Sequence, residues 1–265
     1  MRNFAVENRN YTTAMRSLTP IIKNLLIINV LMFAATYVLG QRGIDLDKML
    51  GLHFLLSHDF MPHQLVSYMF MHGSFMHLFL NMFALWMFGG IIEQTLGPKR
   101  FLIYYFVCGI GAGLCQELAQ FIHYTTLDTF QALDASTGEM VNAVSVSTSR
   151  GEITAALQDY INSWNCVGAS GSIYGVLLAF GMYYPNERMF IIPIPIPIKA
   201  KYFVIGYAVI EVMEMLTQPG DGVGHVAHLG GMLFGLIRIL LWRRWDNRRK
   251  SGTVYVTFDS YNRGY

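Results

Sequence analysis

Ser170 stands in the stretch Gly168-Ala169-Ser170-Gly171, at the head of an apolar run. A serine hydroxyl is a weak nucleophile until an adjacent base takes its proton. His225 and His228 open a second apolar run, and His77 opens a third with Asn81 four residues on. Serine beside histidine can carry out acyl transfer. Each residue also has a plainer use: small and singly polar side chains hold membrane helices together, and a helical serine can bond its own backbone. The choice depends on whether the chain brings these residues to one place.

The 265 residues are 53% hydrophobic and 14% charged, with a mean hydropathy of +0.36. A soluble domain carries roughly 25% charge, so the composition points to an integral membrane protein with the lipid bilayer as its surroundings. The net charge of +2 singles out no acidic partner, and no nucleic-acid partner is expected. Cys108, Cys115 and Cys166 have neither CxxC nor Cys/His metal spacing, which argues against a disulfide framework and a zinc site. No HExxH occurs, which disfavours a zinc-dependent intramembrane protease. Residues 1–19 are polar and include Arg2, Arg9 and Arg16. Without a cleavage-site pattern they read as a cytoplasmic segment ahead of a retained signal-anchor.

Six apolar segments can position the polar residues: about Ile21–Leu39, His77–Leu96, Phe101–Ile122, Val167–Tyr184, Tyr202–Leu216 and Val226–Trp242. Each is near the ~20 residues that cross ~30 Å of hydrocarbon. Cations gather at the termini and in two connections, at Lys99, Arg100, Arg188, Lys199 and Lys201. The opposite side holds only Arg42, Lys48 and Arg150. Cationic loops stay cytoplasmic. The expected fold is therefore an all-α membrane protein, a six-transmembrane-helix bundle over residues 20–243 with a cytoplasmic tail at 244–265. The long first external loop, about 41–76, is partly apolar and suits short interfacial pieces. An external insertion at about 123–166 is polar, with helical spacing of Ile153, Ala156, Leu157 and Tyr160. Residues 192–198 alternate Ile and Pro and must be extended.

This topology sets Ser170, His225, His228, His77 and Asn81 at one depth in the outer half of the membrane, where polar groups are costly and suggest function. His77 and Asn81 share a helical face. Gly231 and Gly235 leave a smooth strip on the face of His228, and Gly168, Gly171 and Gly175 do the same around Ser170. Such faces can close to the ~2.6–3.2 Å that proton transfer needs. No acid is obvious in the sequence as a third member of this group. Glu211 and Glu214 read as interfacial or cavity-facing, with a lateral gate as one role. His225 reads as a supporting or solvent-facing residue one turn outward.

These motifs resemble those of the rhomboid intramembrane serine proteases. Gly168-Ala169-Ser170-Gly171, Ala227-His228 with Gly231 and Gly235, and His77-Leu78-Phe79-Leu80-Asn81 fall in family order, across roughly Ile21 to Trp242. The resemblance implies Ser170 as nucleophile and His228 as general base. It implies an oxyanion site from His77, Asn81 and the Ser170 backbone N–H, and Tyr174 packed on the histidine. Glu93 and Arg100, around Gly97, resemble a structural junction of the family. The implied activity is hydrolysis of a peptide bond in or near a transmembrane segment of another protein, which enters laterally. No metal, nucleotide or redox cofactor is implied, and the expected location is a bacterial plasma membrane with both termini inside. The oligomeric state stays open. Family members often carry Trp-Arg in the first external loop, where this chain has His63-Gln64, so the anchoring of that loop is an open point. Two other readings stand beside the protease: a catalytically silent relative that binds membrane segments, and a small transporter.

Overall fold

The computed structural model describes residues 18–125, 130–133, 140–143, 155–191, 194–217 and 224–251. Residues 1–17 of the expected N-terminal segment, the end of the C-terminal tail and residues 126–129, 134–139 and 144–154 of the 123–166 insertion lie outside these residues.

Helix α1 spans Pro20–Gly40 and begins on a proline, whose missing N–H costs nothing in a first turn. Its remaining free amides are met from another helix. The buried Glu93 carboxylate accepts from Ile21 N at 3.1 Å, from Ile22 N at 3.0 Å and from the Thr19 hydroxyl. A carboxylate at a helix N-terminus also meets the positive end of the dipole. Glu93 is thus structural.

The first external loop is built of short pieces: α2 (Leu46–Leu50), β1 (Leu52–His53), α3 (Gln64–Ser67) and one 3₁₀ turn at Tyr68–Phe70. Gln64 is fully buried and pins it. Its Oε1 accepts from Met61 N at 3.0 Å and His53 N at 3.3 Å, and its Nε2 donates to Asp59 O at 2.9 Å. The His63-Gln64 departure therefore carries an anchor of its own: one amide side chain uses both its oxygen and its nitrogen to tie the loop to itself.

Helix α4 runs Phe75–Leu96 with a π turn at Leu85–Gly89. Gly89 lies under α1 there: a Cβ at this position would stand 2.5 Å from Ile22 Cδ1. Gly97, at φ +78°, turns the chain into α5, Pro98–Thr125. An antiparallel pair in the insertion, β2 (Phe130–Leu133) with β3 (Met140–Ala143), precedes α6 (Ala155–Asn162), the short helix that the spacing of Ala156, Leu157 and Tyr160 suggests. Next come β4 (Asn165–Cys166), α7 (Ser170–Tyr183), the hairpin β5 (Arg188–Ile191) with β6 (Ile194–Lys199), α8 (Ala200–Thr217) and α9 (His225–Ser251). Residues 194–198 of the alternating Ile-Pro run lie in β6, extended as expected; residues 192 and 193 lie outside the described residues. Helix α9 continues past residue 243 into the region assigned to the tail. Asp246 there takes the Arg100 guanidinium at 2.9 and 3.0 Å, and Arg100 lies 5.6 Å from the Trp242 ring.

The six apolar segments are the helices α1, α4, α5, α7, α8 and α9, and the protein is an all-α membrane bundle. Four are long and apolar enough to cross a membrane: α1, α4, α5 and α9 from His225 to Arg248. Helix α8 carries Lys201, Glu211 and Glu214. Helix α7 has only 14 residues, about 21 Å at ~1.5 Å per residue. It sits at the centre, packed by α4, α5, α8 and α9, with Val176 and Ala179 fully buried. Hydroxyls staple α5 to this centre. Tyr104 donates to Gly175 O at 2.7 Å, and Ser172 donates to Tyr105 O at 2.8 Å. Outward-facing Leu31, Phe75 and Leu118 are well exposed, the apolar surface that lipid covers.

Candidate active site

Ser170 is the first residue of α7, three residues later than the apolar pattern begins. The delay has a cause in the backbone. Gly168 has φ +131°, and a Cβ there would lie 2.8 Å from His77 Nε2. Only glycine accepts both the torsion and the approach. The first external loop holds this entry segment. Strand β1 pairs antiparallel with β4 through Leu52–Cys166 and His53–Asn165, and Gly168 N donates to Tyr68 O at 2.9 Å. Starting the helix at Ser170 leaves its first amides, at Ser170, Gly171 and Ser172, outside the helical ladder.

Across from Ser170 stands α9. The Ser170 Oγ lies 2.9 Å from His228 Nε2. The glycines account for this closeness. A Cβ on Gly231 would meet the Gly171 carbonyl oxygen at 1.9 Å, and one on Gly171 would meet Ala112 Cβ at 2.4 Å. Gly175 faces Cys108 and the Gly231 carbonyl, whereas Gly235 faces Tyr104 of α5. Gly171, Gly175 and Gly231 thus join α7 to α9, and Gly235 seats α9 on α5. Tyr174, one turn below Ser170, lays its ring on the His228 imidazole at 4.2 Å and 7°.

The expectation of no acid at this depth is overturned. Glu211 of α8 is 4% exposed, and its Oε2 lies 3.0 Å from His228 Nδ1 and 2.7 Å from His225 Nδ1. Its Oε1 accepts from the Tyr174 hydroxyl. His225 is accordingly buried rather than solvent-facing. Glu214, on the same helix, keeps a 42% exposed side chain 3.7 Å from His225 Nδ1. The rotation of α8 about its axis separates the two acids, and that rotation is set by the packing against α7 and α9. Glu211, His225 and His228 form the one group among the described residues with donor atoms close enough, within 4.8 Å, to hold a metal ion. Both nitrogens already meet a single carboxylate oxygen at hydrogen-bond distance, as proton-sharing groups do.

His77 and Asn81 lie on α4, whose first turn is capped by Ser74 Oγ accepting from His77 N at 3.1 Å. Asn81 is buried and donates from Nδ2 to His77 O at 2.9 Å, which commits one of its two amide hydrogens. The sequence reading missed His72. It is buried, and its ring meets that of His77 edge-on at 5.1 Å. Burial, with the Glu117 carboxylate nearby, pushes the Cys166 thiol up to about 12.

Burial, followed by the neighbouring His77, lowers the His72 imidazole from 6.5 to about 4. Unfolded, this ring takes a proton below about 6.5; folded, it stays neutral down to about 4. The stabilisation is therefore complete above pH 6.5 and is lost as the pH falls towards 4, about 3 kcal/mol in full. Thermal unfolding in detergent at pH 7 and pH 4.5 checks this. The wild type is expected to lose markedly more stability on acidification than His72→Gln.

Residues 59–245 match the Rhomboid domain. The chain is 22% identical over 243 residues to rhomboid-like protein 16, chloroplastic, of Arabidopsis thaliana, covering 90% of this chain and 66% of that protein. It is 30% identical over 186 residues to the presenilin-associated rhomboid-like protein, mitochondrial, of Mus musculus, across 68% of this chain and 38% of the relative. With rhomboid protein 1, mitochondrial, of Saccharomyces cerevisiae it shares 23% over 192 residues, 72% of this chain and 45% of the relative. The chain thus spans less than two thirds of the length of these relatives. The domain match takes in α4 through most of α9, every helix that contributes to the site, and the chain belongs to the rhomboid family.

Proposed function

We propose that the protein is an intramembrane serine endopeptidase that cuts peptide bonds in or near transmembrane segments of other membrane proteins. The observation that carries this reading is the 2.9 Å contact between Ser170 Oγ and His228 Nε2, held by helices that glycines bring together. In this reading Ser170 attacks the scissile carbonyl while His228 takes its proton and then passes it to the leaving amine. The first free amides of α7, the His77 ring and the second amide hydrogen of Asn81 are the donors available to the oxyanion. Such donors are worth ~10²–10³ in rate each. Water, activated by the same imidazole, then releases the acyl group.

The short α7 supports a site below the membrane surface. At about 21 Å it falls short of the ~30 Å hydrocarbon layer, so an end of it lies within the layer, and Ser170 is its first residue. A substrate helix must unwind locally to offer its carbonyl, because a helical carbonyl is hydrogen-bonded along the axis. We read six spans with both termini on the cytoplasmic side of a bacterial plasma membrane. The cationic loops support that orientation, while the names of the relatives place them in mitochondria and chloroplasts.

The test is a fluorophosphonate probe on the purified full chain, with cleavage of a transmembrane substrate in proteoliposomes alongside. Wild type is expected to label at Ser170 and to cleave; Ser170→Ala is expected to do neither. A wild-type protein that does not label, or a Ser170→Ala variant that still cleaves, would overturn the assignment.

A further inference from the structure

We propose that Glu211 is the positioning residue of this site, a third member that sets the tautomer of His228 and supports its charge after it takes the Ser170 proton. The inference rests on the protease reading above.

The geometry is a continuous line. Glu211 Oε2 lies 3.0 Å from His228 Nδ1, and His228 Nε2 lies 2.9 Å from Ser170 Oγ. An ionised carboxylate accepts only, so Nδ1 must carry the imidazole hydrogen. Nε2 then keeps its lone pair, which is what a base facing a serine hydroxyl needs. Without the acid, the ring is free to adopt the other tautomer, in which Nε2 donates and cannot take a proton. When His228 becomes an imidazolium, the same carboxylate faces its new charge. A buried charge is costly unless it is paired and hydrogen-bonded.

The surroundings of Glu211 are built for a carboxylate. His225 Nδ1 donates to Oε2 at 2.7 Å, so this histidine takes the same tautomer as His228. The Tyr174 hydroxyl donates to Oε1, and its ring stacks on His228. Three donors from two helices therefore fix an acid from a third. The ionisable groups facing Glu211 are His225 and His228 on α9 and Tyr174 on α7, and His77 of α4 faces His228 itself. On its own helix, Glu214 lies one turn on, 3.7 Å from His225 Nδ1. An acid that merely filled space would not need both oxygens bonded, nor the imidazole on the path to Ser170 as one of its partners.

The experiment compares wild type, Glu211→Gln, Glu211→Asp and Ser170→Ala as full chains in proteoliposomes. It measures kcat, KM, the pH–rate profile and fluorophosphonate labelling, with thermal unfolding in detergent as a fold control. Glu211→Gln is expected to lose about 100-fold or more in kcat, since removing the orienting acid of a serine triad costs up to ~10⁴. KM stays within about twofold, as expected when only transition-state stabilisation is lost. The acid limb of its pH–rate profile moves to lower pH, because a neutral amide supports the imidazolium less than a carboxylate does. Glu211→Asp recovers part of the rate.

Wild-type kcat and an unmoved pH profile in Glu211→Gln would overturn the role. So would a loss that tracks lowered thermal stability and is shared equally by Glu211→Asp. Activity that disappears with EDTA and returns with zinc would also overturn it, because the three groups would then be ligands rather than proton partners. These outcomes leave the protease reading standing as long as Ser170 labels. A wild type that fails to label at Ser170 removes both.

Discussion

His228→Ala is expected to lower kcat for a transmembrane substrate by about 10⁴-fold or more, with little change in KM. Removing the histidine of a serine protease site costs close to the whole of the machinery, because nucleophile and base act as a unit. Here the reason is visible in the contacts. Nε2 is the group that meets Ser170 Oγ, and Nδ1 meets the one buried carboxylate beside it. His225 cannot substitute, since it lies one turn away on α9 and the ring nitrogen that meets Ser170 Oγ belongs to His228. Tyr174 loses its stacking partner at the same time, so His228→Gln, which fills more of the space, separates the chemical loss from the packing loss. Both variants are expected to be equally inactive, and fluorophosphonate labelling at Ser170 should fall with cleavage. A variant within tenfold of wild type would show that another group deprotonates the serine.

The serine and histidine were legible in the sequence for a physical reason. A polar residue in an apolar run has a depth fixed by counting, and glycines at helical spacing mark where backbones approach. Ser170 with Gly171 and Gly175, and His228 with Gly231, satisfy both conditions on two different segments. Glu211 was not legible as part of the site, because counting gives depth but not rotation. Glu211 and Glu214 are three residues apart on α8, within one turn, yet one is buried against Tyr174 and two histidines and the other is half exposed. Which of them turns inward is settled by contacts with α7 and α9 that lie far away in sequence. His72 escaped for a similar reason. It precedes the capping Ser74 in a loop, where no periodicity assigns a face. The start of α7 was misplaced by three residues because hydrophobicity cannot register a torsion, and the torsion of Gly168 is what ends the extended segment. The first external loop is a mixed case. Its division into short pieces follows from its broken apolar pattern, but its anchor does not, since a lone glutamine carries no signal that it will be fully buried.

Gly231→Ala is the second change expected to have a large effect, and it acts without touching a reacting atom. The added methyl would lie 1.9 Å from the Gly171 carbonyl oxygen, 2.7 Å from its carbon and 3.1 Å from its Cα. These are backbone atoms at the start of α7, so no side-chain rotation relieves the overlap, and α9 must move away. Overpacking a close-fitted interior typically costs 1–3 kcal/mol, and a rigid backbone neighbour places this case at about the upper end. Activity is expected to fall further than stability, by about 100-fold, because a ~1 Å displacement of reacting groups costs that much. The contact that lengthens is the one between His228 and Ser170, since Gly231 lies one turn from His228 on α9 and Gly171 adjoins Ser170 on α7. Gly206→Ala on α8 is the matched comparison: nothing lies within 4 Å of a Cβ there, so the gain in helix propensity, about 1 kcal/mol, should leave activity unchanged and stability equal or higher. Measured together, kcat and thermal unfolding distinguish the two positions. If Gly231→Ala kept wild-type activity, α7 and α9 could part without carrying Nε2 away from Oγ. Close glycine packing would then not be what sets the distance on which the chemistry depends.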